Sequence, residues 1–180
     1  MFNIFAVRQN LKAIYTYTKL AYVVSGMRAC YKYDPRIHEA FHDLKDGSEL
    51  ILTMYPSTHS IYAIKTKKGL KCSLRKDAYI SNGALVTFKS FQAALPVLDN
   101  KMSFTDAFNE NRYVIHGDIG LGMHLVDVLD MAQSTLATRV ERRKYLKEKP
   151  YSSNVEFKVK MTAWFNGWRW NKNTLSFQTM

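Results

Sequence analysis

The segment from Phe88 to Leu129 constrains the fold more than any other part of the sequence, because its periodicity changes repeatedly within a short span. FQAALPVL and SFTDAFNE have the spacing of short helices, YVIHG alternates as a strand does, and IGLGMHLVDVLDMAQSTL carries the apolar stripe of a longer helix. The segment is rich in apolar side chains and has no dense set of catalytic ones. We therefore expect it to hold an apolar molecule, which is a prediction about binding rather than chemistry.

Strand patterns precede this segment. Apolar and polar residues alternate in SELILTMY, HSIYAIKT, KCSLRK and ALVTFK, with turns at Lys68-Gly69 and Asn82-Gly83. Short turns favour an antiparallel meander, and YVIHG brings the sheet to about five strands. The sequence thus predicts an α+β domain in which helices cover one face of an antiparallel sheet.

Two helices are predicted before the strands. Residues 9–31 have helical spacing, and Asp34-Pro35 begins a second helix, with Asp34 as its N-cap, that ends near Gly47. Near one face of the first helix lie Leu11, Ile14, Tyr15, Thr18, Tyr22 and Met27. We favour packing of this helix on the domain, with a solvated basic edge, and keep binding to anionic lipid as the alternative.

The net charge of +11 is concentrated at the two ends of the chain. Residues 1–33 carry five bases and no acid (+5), residues 34–136 eleven and twelve (−1), and residues 137–180 ten and three (+7). We interpret these parts as an N-terminal basic amphipathic helix, a core, and a basic, tryptophan-rich extension packed on the same domain. Nucleic acid is not the favoured partner, because a protein that binds it needs its basic side chains gathered on one surface. An interaction module for protein or nucleic acid stays an alternative.

The extension after Leu136 has its own predicted elements. ATRVERRKYLKEK predicts a basic helix, SSNVEFKVKMTAWF is strand-like, and three tryptophans follow. We predict that Trp164, Trp168 and Trp170 pack against the protein, with anchoring at a membrane interface as the second interpretation.

The pattern HEAFH at residues 38–42 matches the HExxH motif of zinc metalloproteases. His38 and His42 would share one helix face and could hold Zn²⁺, with Glu39 as general base. The helix is short, however, and its opposite face is explained by packing. The residues available as a third ligand are Asp46, Glu49 and His59. We predict two surface histidines, no metal, no cofactor and no catalytic residue, and keep a zinc-dependent hydrolase as an alternative.

Two further histidines, His116 and His124, lie near the apolar segment without a catalytic partner. The nearby acids Asp118, Asp127 and Asp130 are explained by helix capping and a solvated helix face. Both histidines are therefore predicted to be structural.

The sequence carries few signs of a secreted or membrane-spanning protein. Cys30 and Cys72 are too few for a disulfide framework, and no segment has the roughly 20 apolar residues of a membrane span. The opening residues lack the pattern of a signal peptide. We expect a cytoplasmic protein, and the two basic ends add the hypothesis of peripheral contact with an anionic membrane.

The order of these elements and several motifs over about residues 35–135 resemble the sterol carrier protein 2 family of lipid-binding domains. The motifs are Asn100-Lys101-Met102-Ser103, Ala107-Phe108, the strand and turn YVIHGD, and Leu121-Gly122-Met123-His124-Leu125. Asn100 and Asn111 stand where family members usually have glycine. Because asparagine tolerates left-handed backbone better than most residues, we expect both turns to be retained.

The resemblance implies a non-catalytic fold that encloses an apolar tunnel for a sterol, a fatty acid or an acyl-CoA, and that binds or transfers this lipid. Desolvation would then drive binding, at about 0.8 kcal/mol for each buried methylene. The residues predicted to line the tunnel are Phe88, Phe91, Leu95, Phe104, Phe108, Leu121, Leu125 and Leu129. Each is also explained as ordinary core, because core and tunnel walls use the same residue types.

Overall fold

The computed structural model describes residues 4–55, 59–76, 80–146 and 149–175, with the side chains in these ranges except those of residues 4–14, 16, 76 and 167–175. The fold is α+β. In chain order its elements are α1 (Ile4–Tyr33), α2 (Pro35–His42), β1 (Glu49–Met54), β2 (His59–Thr66), β3 (Gly69–Lys76), β4 (Gly83–Phe88), α3 (Phe91–Leu98), α4 (Phe104–Asn109), β5 (Tyr113–Gly117), α5 (Ile119–Leu136), α6 (Arg139–Tyr145) and α7 (Ser153–Leu175).

The strands form a five-stranded, mostly antiparallel sheet in the order β3-β2-β1-β4-β5. β1, β2 and β3 make the predicted antiparallel meander. β4, however, pairs with β1 in parallel, and β5 then pairs antiparallel with β4. The predicted α+β class and strand number are therefore confirmed, whereas the prediction that β4 continues an antiparallel meander is wrong.

Burial explains why β4 lies beside β1. Ala84, Val86 and Phe88 are buried, whereas Lys71 and Arg75 on β3 are exposed. β3 therefore suits the edge of the sheet, where charged side chains also discourage further pairing, and the more apolar β4 takes an interior position. The parallel ladder begins at a very close approach, because a Cβ built on Gly83 would lie 1.8 Å from the carbonyl oxygen of Glu49. Only glycine fits there.

The segment that enters β4 is tied to the sheet by Glu49. Its carboxylate accepts a hydrogen bond from the Tyr62 hydroxyl at 2.7 Å, two from Ser81 at 2.9 Å, and one from the Asn82 amide at 3.2 Å. These donors, the Tyr62 hydroxyl first, lower the pKa of Glu49 from 4.5 to about 2. One ionised side chain therefore anchors the connection that makes the parallel pairing.

We expect the protein to lose stability as the pH falls from about 4.5 towards about 2. A carboxyl group with a lower pKa in the folded state stabilises the fold while ionised, and this contribution is lost as the pH falls through that pKa. Urea unfolding of the native protein and Glu49→Gln at several pH values measures it. The variant should be less stable at neutral pH and lose less stability over this range. Glu39→Gln, at an exposed position on α2, is the matched control, and equal pH slopes for all three proteins would contradict the expectation.

One core joins the sheet to the helices. Leu50, Leu52 and Met54 of β1 share it with Leu20 of α1 and Leu129 of α5. Alternation along β1 turns these three side chains to one face of the sheet, which is the face that the helices cover.

The predicted face of α1 is only partly observed. Met27 is buried and Tyr22 half-buried, but Tyr15 and Thr18 are exposed. Leu20 and Val24 are buried in their place, and the side chains of Leu11 and Ile14 lie outside the described residues. The reason is that α1 packs against both the sheet and α7, so its buried surface is not a single stripe.

Local signals are reproduced closely. Asp34 accepts a hydrogen bond from the Arg36 amide at 3.1 Å and caps α2, whose first residue is Pro35. Asn100 and Asn111 both have a φ of 56°, so each retains the left-handed turn that was expected of it. α2 is shorter than predicted and ends at His42.

The extension forms α6 and α7 and is helical throughout its described elements. α6 agrees with the predicted basic helix, but the strand predicted for SSNVEFKVKMTAWF is wrong, because all of these residues after Ser152 lie in α7. Their alternation also fits helical spacing, since Val159 and Ala163 lie one turn apart, both fully buried on the side of α1. An Arg142–Glu156 ion pair of 3.3 Å joins α6 to α7. Of the helices in the described ranges, none is long and apolar enough to cross a membrane.

Candidate functional site

Four aromatic side chains from β4, β5 and α4, here called the aromatic series, run from the core to the surface. The Phe88 ring lies 6.2 Å from that of Phe104 and 5.1 Å from that of Tyr113, and the Tyr113 ring lies 5.6 Å from that of Phe108. Phe88, Phe104 and Tyr113 are buried, whereas Phe108 is 39% exposed. The apolar interior is therefore continuous with solvent at Phe108.

The other predicted wall residues also include both buried and partly exposed side chains. Leu125 and Leu129 are buried on α5 within the core, and Phe91 and Leu121 are half-buried and pack against it. Leu95 is half-buried, because α3 turns Ala94, Val97 and Leu98 inward instead. The structure thus brings Phe88, Phe104, Leu125 and Leu129 into one core and leaves the other four residues nearer its surface.

Asp130 holds the start of α4 in place, although it was predicted to lie on a solvated face of α5. Its carboxylate is buried and accepts hydrogen bonds from the Phe104 amide at 2.5 Å, the Thr105 amide at 3.0 Å and the Thr105 hydroxyl at 2.6 Å. Burial raises the pKa of Asp130, and the bonds from Thr105 and Phe104 oppose that rise. The prediction for Asp130 is therefore wrong: it is a cap supplied to α4 from another helix.

Gln133, one helical turn after Asp130, ties down the link between α3 and α4. Its side-chain amide donates to the carbonyl oxygens of Val97 at 2.8 Å and Met102 at 2.9 Å. Its Oε1 atom is buried and has no hydrogen-bond partner within the described ranges. A buried acceptor of this kind is stabilised by any donor that reaches it. Sequence reasoning missed Gln133, and its position on the buried side of α5 was the available signal.

Tyr113 adds a polar contact to α4. Its hydroxyl donates to the Phe104 carbonyl oxygen at 3.0 Å, and burial raises its pKa. The polar groups here therefore support α4 and keep the aromatic series aligned.

The HExxH residues do not form a comparable site. His38, Glu39 and His42 are exposed, and the His38 ring lies 5.0 Å from that of Tyr31. Of the suggested third ligands, Glu49 is engaged by Tyr62, Ser81 and Asn82. Across the described residues, no three histidine, cysteine or acidic side chains are grouped as a metal site would need.

The two other histidines lie apart from any catalytic arrangement within the described chain. His124 shares a 2.8 Å hydrogen bond with the carbonyl oxygen of Ala40, which fits the structural role predicted for it. His116 is exposed near the end of β5. Asp118 caps α5 by accepting from the Leu121 amide, and Asp127 is exposed, both as predicted.

A groove of about 460 Å³ lies elsewhere, along β2 and β3. Its lining includes the basic residues Arg28, Lys71 and Arg75, together with Tyr62, Ile64 and Leu70. The Arg75 guanidinium sits 3.7 Å above the Tyr62 ring. This half-open, basic groove shares no residue with the predicted tunnel walls.

No protein-family model and no curated protein sequence matches the chain. Solved structures that it resembles include three whose names contain sterol carrier protein 2 or its abbreviation, SCP2, or sterol carrier protein domain 2. A "UbiJ-SCP2 Ubiquinone synthesis protein" is 18% identical with a TM-score of 0.40, over 56% of this chain and 80% of that one. The sterol carrier protein domain 2 of Helicoverpa armigera is 16% identical with a TM-score of 0.40, over 70% and 92%. Sterol Carrier Protein 2 Like 2 from Aedes aegypti is 13% identical with a TM-score of 0.34, over 56% and 96%.

Proposed function

We propose that this protein binds a long apolar ligand, a sterol, a fatty acid or an acyl-CoA, between α3, α4, α5 and the sheet, without chemical conversion. The observation that carries the proposal is the aromatic series, which leads from the buried, mainly apolar core to solvent at Phe108. An acyl chain that followed this route would exchange water for aromatic and aliphatic walls, and each buried methylene contributes about 0.8 kcal/mol.

A polar group of the ligand has a partner available in this region. The Oε1 atom of Gln133 is a buried acceptor, and a hydroxyl or protonated carboxyl of a lipid is a suitable donor. Binding sites for small apolar molecules typically combine apolar walls with a few such groups. Transfer of the ligand to or from an anionic membrane completes the proposal, and the positive charge at both ends of the chain supports it.

We expect freshly purified protein to release a lipid on solvent extraction. It should also bind a fluorescent fatty acid, which unlabelled fatty acids should displace. Phe108→Asp places a charge at the exposed end of the aromatic series and should weaken binding by about tenfold, because an acyl chain would then contact a carboxylate in place of a ring. Its matched control is Ile119→Asp, at an exposed position outside the predicted walls.

A second control addresses the zinc hydrolase alternative. Replacing His38 and His42 together by alanine should leave fatty-acid binding unchanged, since both side chains are exposed and outside the predicted walls. Failure of the native protein to bind any of the three lipid classes, or equal binding by Phe108→Asp and the native protein, would contradict the proposal.

A further inference from the structure

α7 presents a second apolar face that nothing in the described chain covers. Phe157, Met161, Trp164 and Phe165 are 66%, 40%, 61% and 51% exposed. Their spacing of four, three and one places them on one side of the helix. This set is here called the outer stripe. Scattered exposed apolar residues are normal on a protein surface, but a continuous row of them indicates an interaction site.

The outer stripe lies opposite the side of α7 that packs on α1. Val159 and Ala163 are fully buried on that inner side, and Val155 packs against the same core. A surface helix normally has a single apolar stripe, which faces its own domain. α7 has two, so packing of the domain accounts for only one of them.

The charges around the outer stripe favour a partner with a negatively charged surface. Exposed Lys158 borders the stripe, and residues 137–180 carry a net charge of +7. The acid Glu156 is neutralised within the chain, by Arg142 at 3.3 Å and Lys160 at 2.6 Å. A partner that combines an apolar interior with a negative surface is therefore favoured over a second copy of this chain, which would bring like charges together.

The composition of the stripe agrees with a bilayer surface. Trp164 and Phe165 are in edge-to-face contact at 5.2 Å on the outside of the helix. Tryptophan is enriched at the boundary between lipid headgroups and acyl chains, and basic residues beside an apolar helix face are attracted to anionic lipids. The prediction that Trp164 packs within the protein is therefore wrong, while Trp168 and Trp170 have side chains outside the described residues.

We propose that the outer stripe of α7 docks the protein on a membrane that contains anionic lipids. The four apolar side chains enter the boundary between headgroups and acyl chains, and Lys158 contacts the headgroups. Docking here does not depend on whether the interior binds a lipid, so the two proposals can fail separately.

Sedimentation with vesicles tests the docking. The native protein should bind vesicles of phosphatidylcholine and phosphatidylglycerol, bind pure phosphatidylcholine vesicles more weakly, and dissociate as salt rises. The double variant Phe157→Ser, Trp164→Ser should bind at least about a hundredfold more weakly, because two large side chains no longer leave water. Ile119→Ser is the matched control, since Ile119 is 66% exposed, as Phe157 is, but lies on α5. It should bind like the native protein.

Circular dichroism of each variant should match that of the native protein, since every replaced residue is exposed. Vesicle binding by the double variant equal to that of the native protein would overturn the proposal. So would a native dimer, detected by light scattering, that the double variant abolishes while no form of the protein binds vesicles. The fatty-acid displacement assay on the same variants should be unchanged, which separates loss of docking from loss of the internal ligand.

Discussion

Phe88→Ala is expected to lower the free energy of unfolding by about 3–5 kcal/mol, an effect large enough to threaten the fold. Phe88 is 1% exposed, lies on an interior strand, and contacts the rings of both Phe104 and Tyr113. Removing its ring takes away buried apolar surface and leaves a space that α4 and β5 would have to close. Urea unfolding at neutral pH, followed by circular dichroism, measures the loss.

Two further variants make the result interpretable. Phe88→Leu keeps most of the volume and should lower the free energy of unfolding by no more than about 1.5 kcal/mol. Phe108→Ala removes the same ring from the exposed end of the aromatic series and should lower it by about 1 kcal/mol. Equal losses for Phe88→Ala and Phe108→Ala would contradict the difference in burial on which the expectation rests.

The size of the Phe88→Ala effect also shows how far the proposed ligand route reaches along the aromatic series. The expected loss of about 3–5 kcal/mol corresponds to a route that enters at Phe108 and ends before Phe88. A ring surrounded by protein on all sides loses every contact when it is removed, and the loss falls in the upper part of the range. A loss below about 2 kcal/mol would contradict this expectation and indicate that the Phe88 ring borders a cavity, because such a ring has fewer contacts to lose. In that case the added space should admit bulkier ligands. Unfolding and fatty-acid displacement on one variant therefore test the role of the site that sequence patterns leave undecided.

Features determined by near neighbours along the chain are the ones that sequence reasoning predicts correctly. The cap of α2 depends on Asp34, Pro35 and Arg36, which are consecutive or nearly so. The turns at Asn100 and Asn111 depend on the backbone preference of one residue each. Such signals need no knowledge of the rest of the fold.

Features determined by distant contacts are the ones that sequence reasoning misses. The alternation of β4 is equally compatible with parallel and antiparallel pairing, and its place beside β1 depends on a close approach between Gly83 and Glu49. The alternation in α7 resembles a strand because residues spaced by two and by four are both apolar, and only packing on α1 decides between them. Asp130 resembles a solvated residue until α4 is brought against it.

The candidate site also combines features set by neighbouring residues with features set by distant contacts. The eight predicted wall residues are apolar residues in the correct elements, because helix and strand periodicity is local. Their depth is not local: Phe104 is buried while Phe108, one turn later in the same helix, is exposed. Gln133 was missed because its amide binds residues of a different segment, at Val97 and Met102.

Asp130→Ala is expected to lower the free energy of unfolding by about 3 kcal/mol, the second largest effect that we predict. The first backbone donors of α4 each have a defined acceptor: the amides of Phe104 and Thr105 bond to Asp130, and that of Asp106 bonds to the Ser103 hydroxyl. Removing the Asp130 carboxylate leaves the buried Phe104 amide without its acceptor, and a buried donor without a partner loses about 1–3 kcal/mol. The loss of charge at a helix N-terminus adds to this.

Asp130→Asn separates the effect of weakening the cap from the effect of removing the whole side chain. Asparagine keeps one acceptor oxygen but presents an amide that cannot accept, so about half of the destabilisation should remain. Ser103→Ala, which removes the neighbouring cap on the same helix, should lower the free energy of unfolding by about 1 kcal/mol. Because α4 carries Phe104 and Phe108, Asp130→Ala should also weaken fatty-acid binding under conditions where the variant is folded. Unchanged stability in Asp130→Ala would show that water replaces the carboxylate and that α4 does not depend on α5 for its position.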